Sequence, residues 1–150
     1  MKKGVSLIVL VITVLILAIL VAMVSIPGAD VLKNSKLAAF YEDITKIQDA
    51  VTSYKITRGY IPIKENTQVL TLQEVLNLVA DEKRTFLSQE IVANLDNNSE
   101  FYYIDVSKIG LQNITIDDTK IICNTEGTHV YYLNGFQAED MWYFTVGKEI

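Results

Sequence analysis

Side chains that could act as nucleophiles, proton carriers or metal ligands are scarce in this sequence. His129 is the only histidine and Cys123 the only cysteine. A catalytic triad needs a nucleophile, a base and an orienting acid within hydrogen-bond reach, and a structural zinc site needs four ligands, mostly sulfur or imidazole nitrogen. Neither set can be assembled from this inventory. We therefore expect His129 to lie at a strand end, Cys123 to be a small core residue, and the protein to be neither an enzyme nor a carrier of a cofactor.

One acidic stretch, DNNSEF, has oxygen ligands at the spacing of a calcium loop. Asp96, Asn98 and Glu100 would take the first, third and fifth positions. An EF-hand needs glycine at the sixth position and glutamate at the twelfth, and this chain has Phe101 and Ser107 there. We interpret the stretch as a polar loop without a metal.

Composition excludes one further class of function. Once Lys2 and Lys3 are set aside, 11 basic residues face 18 acidic ones, which leaves a net charge of −7. Such a domain repels nucleic acid unless it carries a basic patch, and the sequence has no run of Lys or Arg longer than Lys83-Arg84. We expect no nucleic-acid partner. A single cysteine also excludes an intrachain disulfide, so the fold must be stable through packing.

The elements that would position any site begin with a long apolar segment. Residues 5–26 contain no charged side chain. About 22 residues of α-helix extend roughly 33 Å, enough to cross a hydrocarbon core of about 30 Å. The run is longer than the apolar part of a secretory signal. We predict a retained transmembrane helix at 5–26, with the N-terminus in the cytoplasm and the remainder extracytoplasmic, and an interruption at Pro27.

The short basic leader MKKG, followed directly by VSLIVLVITVLILAILVAMV and an amphipathic helix, resembles the class III signal of type IV pilins and pseudopilins. The resemblance implies a leader at 1–4 that a prepilin peptidase removes between Gly4 and Val5. It also implies an apolar helix that anchors the subunit and later packs in a filament with other pilin-like subunits.

The family usually has Phe or Met after the glycine and Glu four residues later, where this chain has Val5 and Val9. A major, repeatedly stacked subunit would use that carboxylate to pair with a neighbour's amino terminus. The resemblance therefore implies a minor pilin or pseudopilin of a surface filament or of a secretion or adhesion apparatus, of the variant found in Gram-positive bacteria. The alternative is an uncleaved single-pass membrane protein with an extracellular binding or accessory domain.

An extracytoplasmic domain is expected at 30–150, beginning with an amphipathic helix at 30–58. Its apolar residues recur every three or four positions, which is typical of one helix face, and Asp43, Lys46 and Asp49 are expected to point elsewhere. Gly59 and Pro62 end the helix. We expect the apolar face to pack under a sheet, through Leu37, Phe40, Ile44, Ile47, Val51 and Tyr54.

The remaining sequence predicts a short helix and a small antiparallel sheet. Thr71 and Glu74 form a capping box ahead of a helix at 72–82, and TFLSQEIVANL favours another turn or two. Runs rich in Tyr, Phe, Ile and Val predict a meander at 100–147, with a hairpin turn at residues 125–128. The fold class is thus α+β: a long N-terminal helix, transmembrane and then amphipathic, packed on a small sheet as in pilins.

Adjacent aromatic pairs occur along three of these strands. Because side chains alternate along a strand, one member of each pair should point inward and the other outward. The outward members would either shield the sheet or form a contact surface for a partner. The pairs are Tyr102-Tyr103, Tyr131-Tyr132 and Trp142-Tyr143.

Overall fold

A computed structural model describes residues 2–25, 28–111 and 113–146. The helices are α1 (Lys2–Ser25), α2 (Gly28–Arg58), α3 (Leu72–Asn77) and α4 (Asp81–Asn94). The strands are β1 (Leu70–Thr71), β2 (Glu100–Tyr103), β3 (Ile121–Asn124), β4 (Val130–Tyr132), β5 (Phe136–Ala138) and β6 (Met141–Tyr143). Two 3₁₀ helices occupy Val106–Ile109 and Asp118–Lys120. These elements confirm the α+β class.

The chain divides into two compact units, residues 1–36 and 37–150. The first contains α1, and the second contains the sheet and all of the buried core. Within the described ranges, no helix reaches the combination of length and apolar character that crossing a membrane requires. The interruption expected at Pro27 lies outside the described residues.

The main sheet has four antiparallel strands in the order β1-β2-β3-β4. Cys123 pairs with Tyr102 on one side and Val130 on the other. The last two strands do not extend the meander expected at 100–147: β5 and β6 form a separate two-stranded hairpin, with Gln137 opposite Trp142. The sequence could not distinguish these arrangements, because short aromatic runs pair equally well in either.

Both faces of the main sheet are covered, and this decides between the two roles expected for the tyrosines of β4. Alternation holds along β4: Tyr132 joins the core cluster beneath α2, and Tyr131 joins a second cluster beneath α3 and α4. Tyr131 is 0% exposed and Tyr132 is 9% exposed, so the outward member of this pair is as inaccessible as the inward one. In this pair the expected alternation is present, and the outward residue packs within the fold and forms no exposed contact surface.

The helix predicted at 72–82 is two helices. The predicted capping box is present: Thr71 Oγ1 accepts from Glu74 N–H at 3.3 Å, and Glu74 Oε2 accepts from Thr71 N–H at 2.8 Å. α3 then ends at Asn77, and Ala80, in extended conformation, precedes α4. Two carboxylates in the first turn of α4 favour a new helix start there, and the break turns Val79 into the second cluster. α4 is far longer than the turn or two expected.

The edge of β4 is also occupied. Tyr132 N–H donates to Phe144 O at 2.8 Å, and Thr145 Oγ1 donates to Val130 O at 2.7 Å. Phe144 and Thr145 therefore lie along the strand, with exposures of 0% and 7%.

Candidate functional site

The surface of α1 is the first candidate for function. Its described side chains run from Ser6 to Ile19, and all of them are exposed. The large apolar residues among them have between 50% and 63% of their surface exposed, and none of residues 6–19 is charged. Thr13 Oγ1 donates to Val9 O at 2.7 Å, so its hydroxyl is satisfied within the helix. The helix thus presents a largely apolar surface without a charged side chain between residues 6 and 19.

The expected processing residues, Gly4 and Val5, lie in the first turn of α1. Their backbone is helical, and their side chains are outside the described part of the structure.

The apolar stripe of α2 lies against the sheet for most of its length. Phe40, Ile44, Ile47 and Val51 are 0% to 3% exposed. Leu37 is partly buried at the edge of the same cluster. The stripe ends at the surface, because Tyr54 is only partly buried.

The two ends of the stripe meet aromatic residues. Phe40 stacks on Phe136 of β5, with ring centroids 5.5 Å apart. At the other end Tyr54 packs edge-on against Tyr60 at 5.7 Å, and the Arg58 guanidinium carbon lies 5.9 Å from the centre of the Tyr54 ring. The predicted residues therefore form a packing face of the domain.

Asp43 does not point away from the core as the helical pattern suggested. It is 5% exposed, and one carboxylate oxygen accepts hydrogen bonds from Thr115. The loop after the first 3₁₀ helix covers this carboxylate, and Ile114 and Ile116 of that loop pack on the α2 cluster. The helical period alone cannot reveal such a partner, 72 residues later in the chain.

Cys123 and His129 lie on the two sides of the β3–β4 turn, where a backbone hydrogen bond from His129 meets the Cys123 sulfur. Cys123 is 0% exposed, and burial raises the pKa of its thiol to about 12. His129 is partly buried, with Nδ1 2.9 Å from Thr128 Oγ1. A thiol that stays protonated at neutral pH is a poor nucleophile, so the geometry supports a structural role for Cys123.

Asn124 organises this turn, a role that the sequence analysis did not identify. Its side-chain oxygen accepts from the N–H groups of Thr128 and His129, both at 2.9 Å, and its amide donates to Thr128 Oγ1 at 2.8 Å. Asparagine is common in turns because its side chain bonds nearby backbone groups, so Asn124, three residues ahead of Gly127, was the available signal.

The polar loop lines a cavity of about 430 Å³. Asp96 Oδ1 accepts from Asn98 N–H at 3.1 Å, so the loop closes on its own backbone. Across the described ranges, no three His, Cys, Asp or Glu side chains are arranged to hold a metal ion. The cavity is lined by Asn94, Leu95, Asp96, Asn98, Ser99, Glu100, Asn124, Thr125 and Glu126.

The structure thus defines an α+β domain with a sheet covered on both faces, preceded by an apolar helix. Comparisons with protein-family models, with curated proteins and with solved structures found no match.

Proposed function

We propose that the protein is a membrane-anchored type IV pilin-like structural subunit, a minor pilin or pseudopilin of a surface filament or of a secretion or adhesion apparatus. One observation carries the proposal: a leader of four residues, with two lysines and a final glycine, precedes an uncharged helical segment directly.

The anchor is proposed from residues 5–26, of which the described side chains cover 6–19. Each central Leu, Ile or Val favours insertion into a bilayer by roughly 0.3–0.6 kcal/mol, and no Asp, Lys or Arg opposes them. In lipid, a helix satisfies every backbone polar group within one segment. The N-terminus is then cytoplasmic and the sheet domain lies outside the membrane.

Assembly would reuse the same helix. Apolar helices withdrawn from lipid can bury their surface against each other, while the sheet domain forms the outer coat. The helical backbone of α1 and the continuous exposure of its apolar side chains support this use. The partners are other pilin-like subunits and the prepilin peptidase that removes residues 1–4.

Val9 favours a limited role in assembly. A carboxylate inside a bilayer costs about 2.5–3.5 kcal/mol and is kept only where a partner neutralises it. With Val9, the chain cannot form that pair, which suits a subunit present in few copies. It equally suits the second candidate function, an uncleaved membrane-tethered binding or accessory protein that never polymerises.

The intact mass of the protein, purified from its native membrane, separates the two. The first function predicts a chain that begins at Val5 and is lighter by residues 1–4. Substitution Gly4→Val should block cleavage, because a larger residue obstructs the extended backbone, and Ser6→Ala is the matched control that should be cleaved normally. A wild-type chain that retains residues 1–4 in a host with an active prepilin peptidase would overturn the first function in favour of the second.

A further inference from the structure

A carboxyl group on α4 holds the segment 141–146 at the edge of the sheet. Glu90 Oε2 accepts a hydrogen bond from Phe144 N–H at 3.0 Å. The carbonyl of Phe144 accepts from Tyr132 N–H. Both backbone polar groups of Phe144 are therefore bonded, one to a helix and one to the main sheet.

The side chains of the segment 141–146 pack against the core and against α4, and they cover Glu90. Phe144 is fully buried in the second cluster, and its ring lies so close to Gly135 that an added Cβ there would be 2.7 Å from Phe144 Cε1. Lys83 of α4 lies 4.3 Å from the centre of the Trp142 ring. Glu90 is thereby partly buried beneath a segment that is held by hydrogen bonds to α4 and β4 and by the buried ring of Phe144.

The groups that surround Glu90 are tyrosines. Burial raises the pKa of Tyr41 on α2 and of Tyr131 on β4, and the charge of Glu90 acts on both in the same direction. Tyr143 of β6 also raises the pKa of Tyr41. Tyr131 Oη is buried with no hydrogen-bond partner of normal geometry among the described residues. Asn94 lies beside that hydroxyl, but its amide donates to the backbone carbonyl of Glu90.

A cation that could neutralise Glu90 is missing from the described part of the chain. The ion pairs there are Lys46 with Glu42 and Arg84 with Asp81, and Lys83 donates to Asn134 O. Burial of a carboxylate without a cation favours its protonated form.

We propose that Glu90 is a proton-sensitive clasp on the segment 141–146, which opens more readily once Glu90 has lost its proton. Burial raises the pKa of Glu90 from 4.5 to about 7, although the backbone N–H groups of Phe144 and Thr145 favour the ionised form. Opening would expose the carboxyl to water, where its pKa returns to the ordinary value. At a pH between 4.5 and about 7, Glu90 is therefore protonated when the segment is closed and ionised when it is open. Raising the pH must therefore favour opening by mass action.

Hydrogen exchange at the amides of Phe144 and Thr145 in the full chain tests the proposal. Protection factors, corrected for the intrinsic pH dependence of exchange, should fall by roughly 10- to 100-fold between pH 5 and pH 8. In Glu90→Gln the side-chain carbonyl can still accept from Phe144, but nothing titrates, so protection should change by less than about twofold. Glu82→Gln, an exposed carboxylate on the same helix, is the control and should behave as wild type.

Equal pH dependence in wild type and Glu90→Gln would overturn the proposal, and so would constant protection in wild type. If Glu90→Gln fails to fold, the carboxyl carbon of Glu90 can be titrated by NMR in the wild-type chain, and a pKa at the ordinary value would reject the clasp. The result does not depend on cleavage or assembly of the N-terminal segment, so it stands apart from the proposed function.

Discussion

Asp43 and Thr115, 72 residues apart in the chain, are joined by two hydrogen bonds to one carboxylate oxygen. Asp43 Oδ2 accepts from Thr115 N–H at 3.0 Å and from Thr115 Oγ1 at 2.7 Å. The pair fastens the loop around Thr115 to the middle of α2.

Substitution Asp43→Ala should therefore destabilise the domain. It removes the two hydrogen bonds that hold the exposed Thr115 to α2, and bonds of this kind contribute about 0.5–1.5 kcal/mol each. Urea unfolding measures the loss. Asp49→Ala, at an exposed position of the same helix, should change stability by less than about 0.5 kcal/mol; equal effects of the two would refute the fastening role.

The apolar stripe of α2 can be tested with two isoleucines on the same helix. Ile47 is 0% exposed and Ile56 is 80% exposed. Ile47→Ala should lower the free energy of unfolding by about 2–5 kcal/mol, because it leaves a cavity in the core. Ile56→Ala should be nearly neutral. Thermal unfolding followed by circular dichroism distinguishes them, and a neutral Ile47→Ala would mean that the stripe is not packed on the sheet.

Alanine substitutions at two glycines with positive φ can distinguish the cost of backbone strain from the cost of steric crowding. Gly127 has φ +75°, and a Cβ there would lie 2.8 Å from Ile61 Cγ2; Gly110 has φ +64° and open space around it. Alanine at either position strains the backbone by about 1–2 kcal/mol. Gly127→Ala should cost about 1–3 kcal/mol more, because the β3–β4 turn must also move away from Ile61. Chemical denaturation of both variants checks the difference, and identical costs would contradict the close packing.

Cys123 should be unreactive in the folded protein. Its thiol is buried and, with a pKa of about 12, fully protonated at neutral pH. Labelling with a thiol reagent at pH 7.5 should proceed only as fast as the domain opens, and should become rapid in denaturant. Fast labelling of the native chain would show that β3 is accessible.

Glu90 should also make the free energy of unfolding of the domain depend on pH, and the direction of that dependence follows from its raised pKa. The native state binds more protons than the unfolded state between pH 4.5 and about 7, so the contribution of Glu90 to stability falls as pH rises through that window. The unfolding free energy of wild type minus that of Glu90→Gln should decrease by about 1–3 kcal/mol from pH 4.5 to pH 7.5. A difference that is constant with pH would show that Glu90 does not titrate there.

Local signals predicted much of the domain. Two features depend on residues close in sequence: the capping box at Thr71 and Glu74, and the hairpin around Gly127. The stripe of α2 follows from the helical period of 3.6 residues, because a surface helix buries one face. These features need no knowledge of distant contacts.

The features that the sequence did not predict depend on contacts between residues far apart in the chain. The burial of Tyr131 depends on α4, whose sequence predicts only a weak helix, lying across the second face of the sheet. The burial of Asp43 depends on Thr115, and the raised pKa of Glu90 depends on Phe144 reaching α4. The cavity beside Asp96 likewise joins residues from two separate stretches of chain, 94–100 and 124–126.

The covered edge of β4 limits how the sheets of two copies of this domain could pair. Exposed sheet borders recruit strands from other molecules and seed amyloid-like growth. Here Phe144 and Thr145 occupy that border, and the opposite border ends in β1, a strand of two residues. Pairing of two main sheets edge to edge is thus blocked along β4 and limited to two residues along β1.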